Sequence, residues 1–169
     1  MELKIIESTL IEFYVTKKSD IKLIIEMENN KENLNYILPY SYKQHLEVIN
    51  GDDNLHITIK SKSNKKILGF IILSGVKNKN NSIEFRRIVI VEKHKGIGRE
   101  SIKLIKKLCF KKLRCHRLWL DVFDDNQRAI SLYLSEGFVQ DGKLRESIRC
   151  GNAYRSLLLF SLLKNEYFL

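Results

Sequence analysis

The chain has 169 residues, of which 44% are hydrophobic and 30% are charged, a balance typical of an ordinary globular protein. No apolar run approaches the roughly 20 residues that a membrane-spanning helix needs. The first ten residues, MELKIIESTL, carry acids early and lack the layout of a signal peptide. A cytoplasmic location and a single domain over residues 1–169 are therefore expected.

The first half of the chain predicts an alternation of strands and helices. Residues 10–15 read as a strand, and Ser19 or Asp20 caps a helix that runs to Glu28. A polar stretch over 29–35 precedes a short helix over 42–50, which Gly51 ends.

The middle of the chain predicts three strands. They cover residues 55–60, 67–76 and 82–91, and short polar turns join them. Strands connected in this way pair antiparallel.

The second half predicts a helix over 97–113, a strand over 117–122, a helix over 126–136 and a closing hairpin of strands 138–149 and 153–163. A strand, a helix and a second strand in succession imply a right-handed crossover and a parallel strand pair. The whole is therefore expected to be a mixed α/β sheet.

The net charge bears on the class of partner, and the cysteine spacing bears on disulfides and metal sites. Lys and Arg number 30 against 20 Asp and Glu, a formal charge of +10, which suits nucleic acid or a small phosphorylated ligand. Because lysines are spread along the whole chain, a charge that serves only solubility is an equal alternative. Cys109, Cys115 and Cys150 form no C-x-x-C pair, so neither a disulfide framework nor a metal site is expected. Cys109 lies on an apolar helical stripe and should be buried.

The segment VEKHKGIGRE, residues 91–100, follows a predicted strand and opens a predicted helix. Backbone amides at a helix start bind phosphate well, and glycines let a diphosphate approach that backbone closely. The Walker pattern and the Rossmann G-x-G-x-x-G pattern are both absent. The alternative is a glycine-relaxed turn whose lysines serve solubility.

Two motifs in the second half resemble those of the GNAT N-acyltransferase superfamily. KHKGIG, residues 93–98, is similar to its acyl-CoA loop Q/R-x-x-G-x-G/A, and NQRAISLYLSEGF, residues 126–138, is similar to its N-x-x-A-x-x-x-Y-x-x-x-G-F segment. The ending, residues 142–163, is similar to the branch that contains ribosomal-protein and spermidine N-acetyltransferases. Lys93 replaces the usual Gln or Arg, and Arg155 stands near a position where related sequences often carry an acid.

The resemblance implies a mixed, mostly antiparallel sheet of six to seven strands with about four helices and a splayed parallel strand pair. It implies acetyl transfer from acetyl-CoA to a primary amine, which could be a protein N-terminus, a polyamine or another small amine. A bulge in the fourth strand would open the sheet and leave an amide near the thioester oxygen. Residues expected to contact acetyl-CoA are Ile88, Val89, Ile90, Lys93, His94, Lys95, Gly96, Ile97, Gly98, Arg99, Asn126 and Tyr133.

The resemblance also suggests catalytic roles. An alkyl ammonium with a pKa of about 10.4 cannot attack while charged, so Asp121 or Glu84 is expected to accept its proton. Tyr133 is expected to protonate the departing thiolate. The structural alternatives are a salt bridge for each acid, aromatic packing for Tyr133 and helix capping alone for Asn126.

Two other functions stay open. A basic nucleic-acid-binding module would expose aromatic residues, whereas here Phe13, Phe70, Phe85 and Trp119 stand in apolar runs. A protein that binds CoA without catalysis would keep the same fold. Similar proteins are commonly homodimers, so a homodimer is one assembly that the resemblance allows.

Overall fold

The computed structural model describes residues 2–169, which form one eight-stranded sheet in the order β1-β2-β3-β4-β5-β6-β8-β7. Within these described residues, β5 and β6 are the one pair of strands that run parallel. The strands are β1 Lys4–Glu7, β2 Ile11–Val15, β3 Asn54–Ser61, β4 Ile67–Ser74, β5 Ser82–Ile90, β6 Arg117–Phe123, β7 Val139–Cys150 and β8 Ala153–Leu163. The predicted fold class is confirmed, with β1 added beyond the predicted strands.

The helices fall close to their predicted positions. A short 3-10 turn, Lys18–Asp20, leads into the first helix, and a π-helical turn, Leu108–Lys112, extends the fourth. The α-helices are α1 Ile21–Glu28, α2 Lys31–Leu34, α3 Tyr42–Asn50, α4 Ile97–Lys107, α5 Gln127–Ser135 and α6 Lys164–Tyr167. Helix α2 occupies part of the stretch that the sequence predicts to be merely polar. None of the helices within residues 2–169 has the length and apolar character to cross a membrane.

Both faces of the sheet carry a hydrophobic core. Helices α4 and α5 pack on the first face, where Ile102, Ile105 and Ile130 are buried, and Cys109 is buried there as predicted. Helices α1 and α3 cover the second face with Ile24, Met27 and Val48, which pack against Phe70 and Ile72 of β4. Since successive side chains of a strand point to opposite faces, β4 supplies Ile71 and Leu73 to the first core.

A bulge at Arg86 breaks this alternation in β5. Ile72 of β4 pairs with Arg87, whereas the next residue, Leu73, pairs with Phe85, so Arg86 is an extra residue. One extra residue turns the following side chains to the other face. Phe85 accordingly lies in the first core and Val89 in the second. In an unbroken strand these two residues, four positions apart, would share one face. The predicted bulge is present.

The parallel pair separates where the bulge begins. Residues 82–84 of β5 pair with residues 117–119 of β6, and the pairing ends at Glu84 and Trp119. Beyond this point β5 keeps its antiparallel partner β4 but has an open edge toward β6. An open strand edge can pair with another extended chain. The predicted splayed pair is therefore confirmed, and it defines a cleft.

Candidate functional site

A cleft of about 1070 Å³ opens between β5 and β6. Residues 85–90 of β5 form one wall and residues 121–123 of β6 begin the other. The loop before α4, the first turns of α5 and part of the segment 32–38 complete the lining. The cleft is large enough for an extended ligand that runs along the open edge of β5.

The start of α4 forms an anion-binding end of this cleft. Gly96 precedes the helix with a φ of +75°, a left-handed conformation that favours glycine. The first helical bond is donated by the Glu100 amide to the Gly96 carbonyl over 3.0 Å, so the amides of residues 97–99 precede it. These amides carry partial positive charge. A Cβ added at Gly98 would meet only Leu132 at 3.8 Å, so the fold itself does not require glycine there.

Basic side chains surround this end, and most are held by acids. Lys93 bonds Glu32 of α2 at 2.8 Å, and Arg99 bonds the buried Glu136 at 2.7 Å. His94 and Arg128 also line the cleft. Lys95 does not line it, and its ammonium bonds Glu92 at 2.7 Å. The other residues predicted to contact acetyl-CoA all line the cleft.

Asn126 caps α5. Its side-chain oxygen accepts a hydrogen bond from the Ala129 amide at 3.2 Å, as in an ordinary N-cap. The same residue lines the cleft. The capping role is therefore present and compatible with a ligand contact.

The two predicted acids have different surroundings. Glu84 does not line the cleft, and its carboxylate accepts two hydrogen bonds from Arg86, at 2.7 and 3.1 Å. Asp121 lines the cleft and has no Lys, Arg or His partner within 4.0 Å among residues 2–169. It is open to solvent on the cleft side, yet the enclosing walls and the charge of Glu84 raise its pKa, which Arg86 opposes.

Tyr133 reaches the cleft from the first face. Its ring makes edge-on contacts with Phe85 and Phe138, with centroids 6.2 and 5.8 Å apart. No group in residues 2–169 hydrogen-bonds its hydroxyl, and burial, with a smaller effect of Asp121, raises its pKa above the ordinary value. The phenol therefore stays protonated at neutral pH.

Asp121 and Tyr133 come from opposite faces of the sheet. Leu118, Leu120 and Val122 point into the first core, so the alternating Asp121 points to the second face. Tyr133 belongs to the first core. A carboxylate and a phenol thus reach the same cleft from opposite faces of the sheet.

A buried polar network, which the sequence did not predict, supports the wall beside Asp121. Glu28 is fully buried, binds Arg87 of β5 and accepts the Tyr40 amide at 2.8 Å. Arg87 in turn donates to the Leu38 carbonyl at 2.8 Å and stacks over the Tyr40 ring at 4.0 Å. The segment 36–40, called the acceptor wall below, is therefore anchored next to the bulge.

The network continues away from the cleft as a chain of hydrogen bonds. Glu28 contacts His45 at 3.1 Å, and His45 contacts His56 at 3.0 Å. His56 contacts Thr16 at 2.9 Å, and Thr16 contacts Thr58 at 2.9 Å. One arrangement of protons satisfies all of them with both imidazoles neutral, each donating toward Glu28. The only early signal was that Glu28 continues the stripe of Ile21 and Ile24 on α1.

A helix start with free amides, an open strand edge, and a carboxylate and a phenol that line the same cleft are together typical of an acyl-CoA-dependent transferase. The sequence profile of the acetyltransferase (GNAT) family matches residues 23–138, and the chain belongs to this family. Its activity is acetyl transfer, with acetyl-CoA as the cosubstrate. Among residues 2–169, no cluster of His, Cys, Asp and Glu is arranged to hold a metal ion.

The chain is similar to named polyamine acetyltransferases. Spermidine N(1)-acetyltransferase of Vibrio cholerae is 26% identical over 162 residues, which cover 89% of this chain and 91% of that protein. The protein of the same name from Escherichia coli K12 is 23% identical over 158 residues, covering 89% and 84% of the two chains.

Solved structures of the Vibrio enzyme share the fold. Its complex with CoA and spermine superposes with a TM-score of 0.85 at 23% identity, over 96% of this chain and all of that one. A dodecameric form gives a TM-score of 0.80 at 22% identity, over 95% and 97% of the chains.

Proposed function

We propose that the protein acetylates a primary amine by direct attack on acetyl-CoA, with Asp121 as the base and Tyr133 as the acid. The observation that carries this proposal is the position of these two side chains, which approach the bulge of β5 from opposite faces of the sheet. The names of the relatives make a polyamine one candidate acceptor, beside a protein N-terminus or another small amine.

The donor half of the site supports a nucleotide-bearing thioester. The amides of residues 97–99, with Lys93 and His94 beside them, would receive the diphosphate. The open edge of β5 over residues 88–90 would pair with the extended arm, as an added strand does. Such an arm leads from the loop toward the bulge, where a free amide would stabilise the oxyanion.

The chemistry needs proton transfers at the amine nitrogen and at the sulfur. Asp121 accepts a proton from the ammonium group of the acceptor, which frees the nitrogen lone pair to attack the carbonyl carbon. Tyr133 then donates its proton to the thiolate as the carbon–sulfur bond breaks. The attacking nitrogen, which still carries two hydrogens and a positive charge, releases one proton to solvent as the neutral amide forms, and the Tyr133 phenolate regains a proton from solvent. Glu84 is the weaker candidate for the base, because Arg86 holds its carboxylate outside the cleft.

Three variants test these roles. Asp121→Asn should lower kcat/KM by about 10²-fold or more at pH 7, and the loss should shrink near pH 10, where the amine deprotonates unaided. Glu84→Gln is the matched control and should lose less. Tyr133→Phe should lose turnover but keep acetyl-CoA affinity by calorimetry, because the ring packing is retained. Full turnover in both Asp121→Asn and Tyr133→Phe would contradict the assignment and would favour another acid–base pair.

A cytoplasmic location stays a prediction from the sequence. A homodimer, or a larger assembly such as the dodecamer of the Vibrio enzyme, is proposed. Light scattering coupled to gel filtration tests this point.

A further inference from the structure

The charges that line the cleft are largely neutralised by partners within the chain. Four carboxylates line it, and three of them already bind a cation. Glu32 binds Lys93 at 2.8 Å, Glu92 binds Lys95 at 2.7 Å, and Asp125 binds Arg155 at 2.6 Å. Asp121 alone among these four lacks such a partner within residues 2–169.

Cations are more numerous than acids in the same lining. Arg86, Arg87, Lys93, Arg99 and Arg128 all contribute to it, and the whole chain has a formal charge of +10. Lys93, Arg99 and Arg128 lie at the end that would receive the diphosphate, so only Arg86 and Arg87 of β5, which Glu84 and Glu28 bind, bear on the acceptor side. Each additional ammonium group would also have to displace an arginine or lysine from its carboxylate.

The acceptor wall is apolar and exposed. Tyr36 and Leu38 keep 40% and 57% of their surface accessible, although both line the cleft. Leu38 lies beside the bulge, because its carbonyl binds Arg87. Across the cleft, Phe123 and Leu157 add further apolar lining. Exposed apolar side chains around one free carboxylate fit a ligand with one charged end and an apolar body.

We infer that the acceptor is a primary amine with a single ammonium group on an apolar, preferably aromatic, body, and that it is not a polyamine. This inference rests on the proposed function, since Asp121 must receive the ammonium group. The body packs against Tyr36 and Leu38. A second ammonium group of a polyamine would need the Asp125 carboxylate, which already binds Arg155. The Arg155 guanidinium lies over the Phe123 ring, 3.7 Å from the ring centroid.

Release of CoA thiol measures the acceptor preference directly. At roughly 0.15 M salt, 2-phenylethylamine should show a kcat/KM about tenfold or more above that of spermidine, because like charges juxtaposed in a binding site are costly. A spermidine value equal to or above that of 2-phenylethylamine overturns the inference and leaves the proposed function intact. Release with neither of these amines overturns the inference. Release with neither of them nor with a peptide that has a free N-terminus, while calorimetry shows that acetyl-CoA binds, overturns the proposed function as well.

A charge-removal variant tests the reason for the preference. Arg155→Gln frees the Asp125 carboxylate, so kcat/KM for spermidine should rise about threefold or more while that for 2-phenylethylamine changes little. Arg149→Gln removes the same charge at the hairpin end, where Arg149 bonds the Gly151 carbonyl, and serves as the control. An equal response of spermidine to both variants overturns the role of Arg155.

Discussion

Glu28 links the acceptor wall to the interior of the protein, and Glu28→Gln isolates its charge. The carboxylate is 0% exposed, and the Arg87 side chain that binds it is 10% exposed. Glutamine keeps one acceptor oxygen, but its amide group must then face a donor from Arg87, His45 or the Tyr40 backbone. Removing one partner of a buried ion pair typically costs about 3–5 kcal/mol.

Urea unfolding followed by the fluorescence of Trp119, the only tryptophan of the chain, measures this loss. With an m-value of about 2 kcal/mol/M, the midpoint should fall by about 1.5–2.5 M. Glu47→Gln is the matched control on α3, because Glu47 is 64% exposed and its contact with Lys43 is 4.0 Å long. The control should change the free energy of unfolding by less than about 0.5 kcal/mol.

A double variant separates charge from shape. Arg87→Gln alone should also lower the free energy of unfolding, because it leaves the buried Glu28 carboxylate without its cationic partner. The double variant Glu28→Gln/Arg87→Gln restores charge balance. Its loss of unfolding free energy should therefore be smaller than the sum of the losses in the two single variants by about 1 kcal/mol or more. A Glu28→Gln effect as small as that of Glu47→Gln, or strict additivity in the double variant, would refute the buried-pair argument.

Glu28→Gln should also change the kinetics of the reaction. Because Arg87 and Glu28 hold Leu38 and Tyr40 in place, Glu28→Gln should raise the KM for the amine about tenfold or more, since small displacements of a positioned substrate are costly. The KM for acetyl-CoA should stay constant, since Glu28 bonds Arg87, Tyr40 and His45 and no residue of the donor loop. A parallel rise of both constants would indicate general loosening of the fold instead.

Three further predictions concern pH, packing and ligand space. Burial lowers the pKa of His56 to about 3, so only the unfolded chain protonates this imidazole as the pH falls below about 6.5. The free energy of unfolding should then drop by up to about 1.4 kcal/mol per pH unit. Urea titrations at several pH values should show that His56→Gln flattens this slope. Gly69→Ala places a Cβ 2.0 Å from the Val89 carbonyl oxygen and should cost about 1–3 kcal/mol by urea unfolding, whereas Gly142→Ala, which meets nothing within 4 Å, should be nearly neutral. Gly98→Ala should leave stability unchanged or raise it by up to about 1 kcal/mol, yet weaken acetyl-CoA binding about tenfold in calorimetry, if a phosphate occupies that space; unchanged binding would contradict the donor site.

The strands, the helices and the helix start at residues 96–98 could be predicted from the sequence. Alternating and helical spacings placed most strands and helices, and the glycines of residues 96–98 indicated an anion-binding helix start, because such features depend on neighbours along the chain. Asp121, Tyr133 and Asn126 were found through the family motif, which records a local strand and helix.

Only the tertiary structure decided how distant side chains combine. The bulge at Arg86 turns Arg87 toward Glu28, and the fold brings His45 and His56 into the same buried chain, although no spacing in the sequence joins these positions. The choice between Asp121 and Glu84 likewise depends on which carboxylate an arginine holds. Charge pairing and burial are properties of three-dimensional neighbours. For that reason the sequence determined the scaffold and the loop before α4, while the structure decided which carboxylates are paired and which face the cleft.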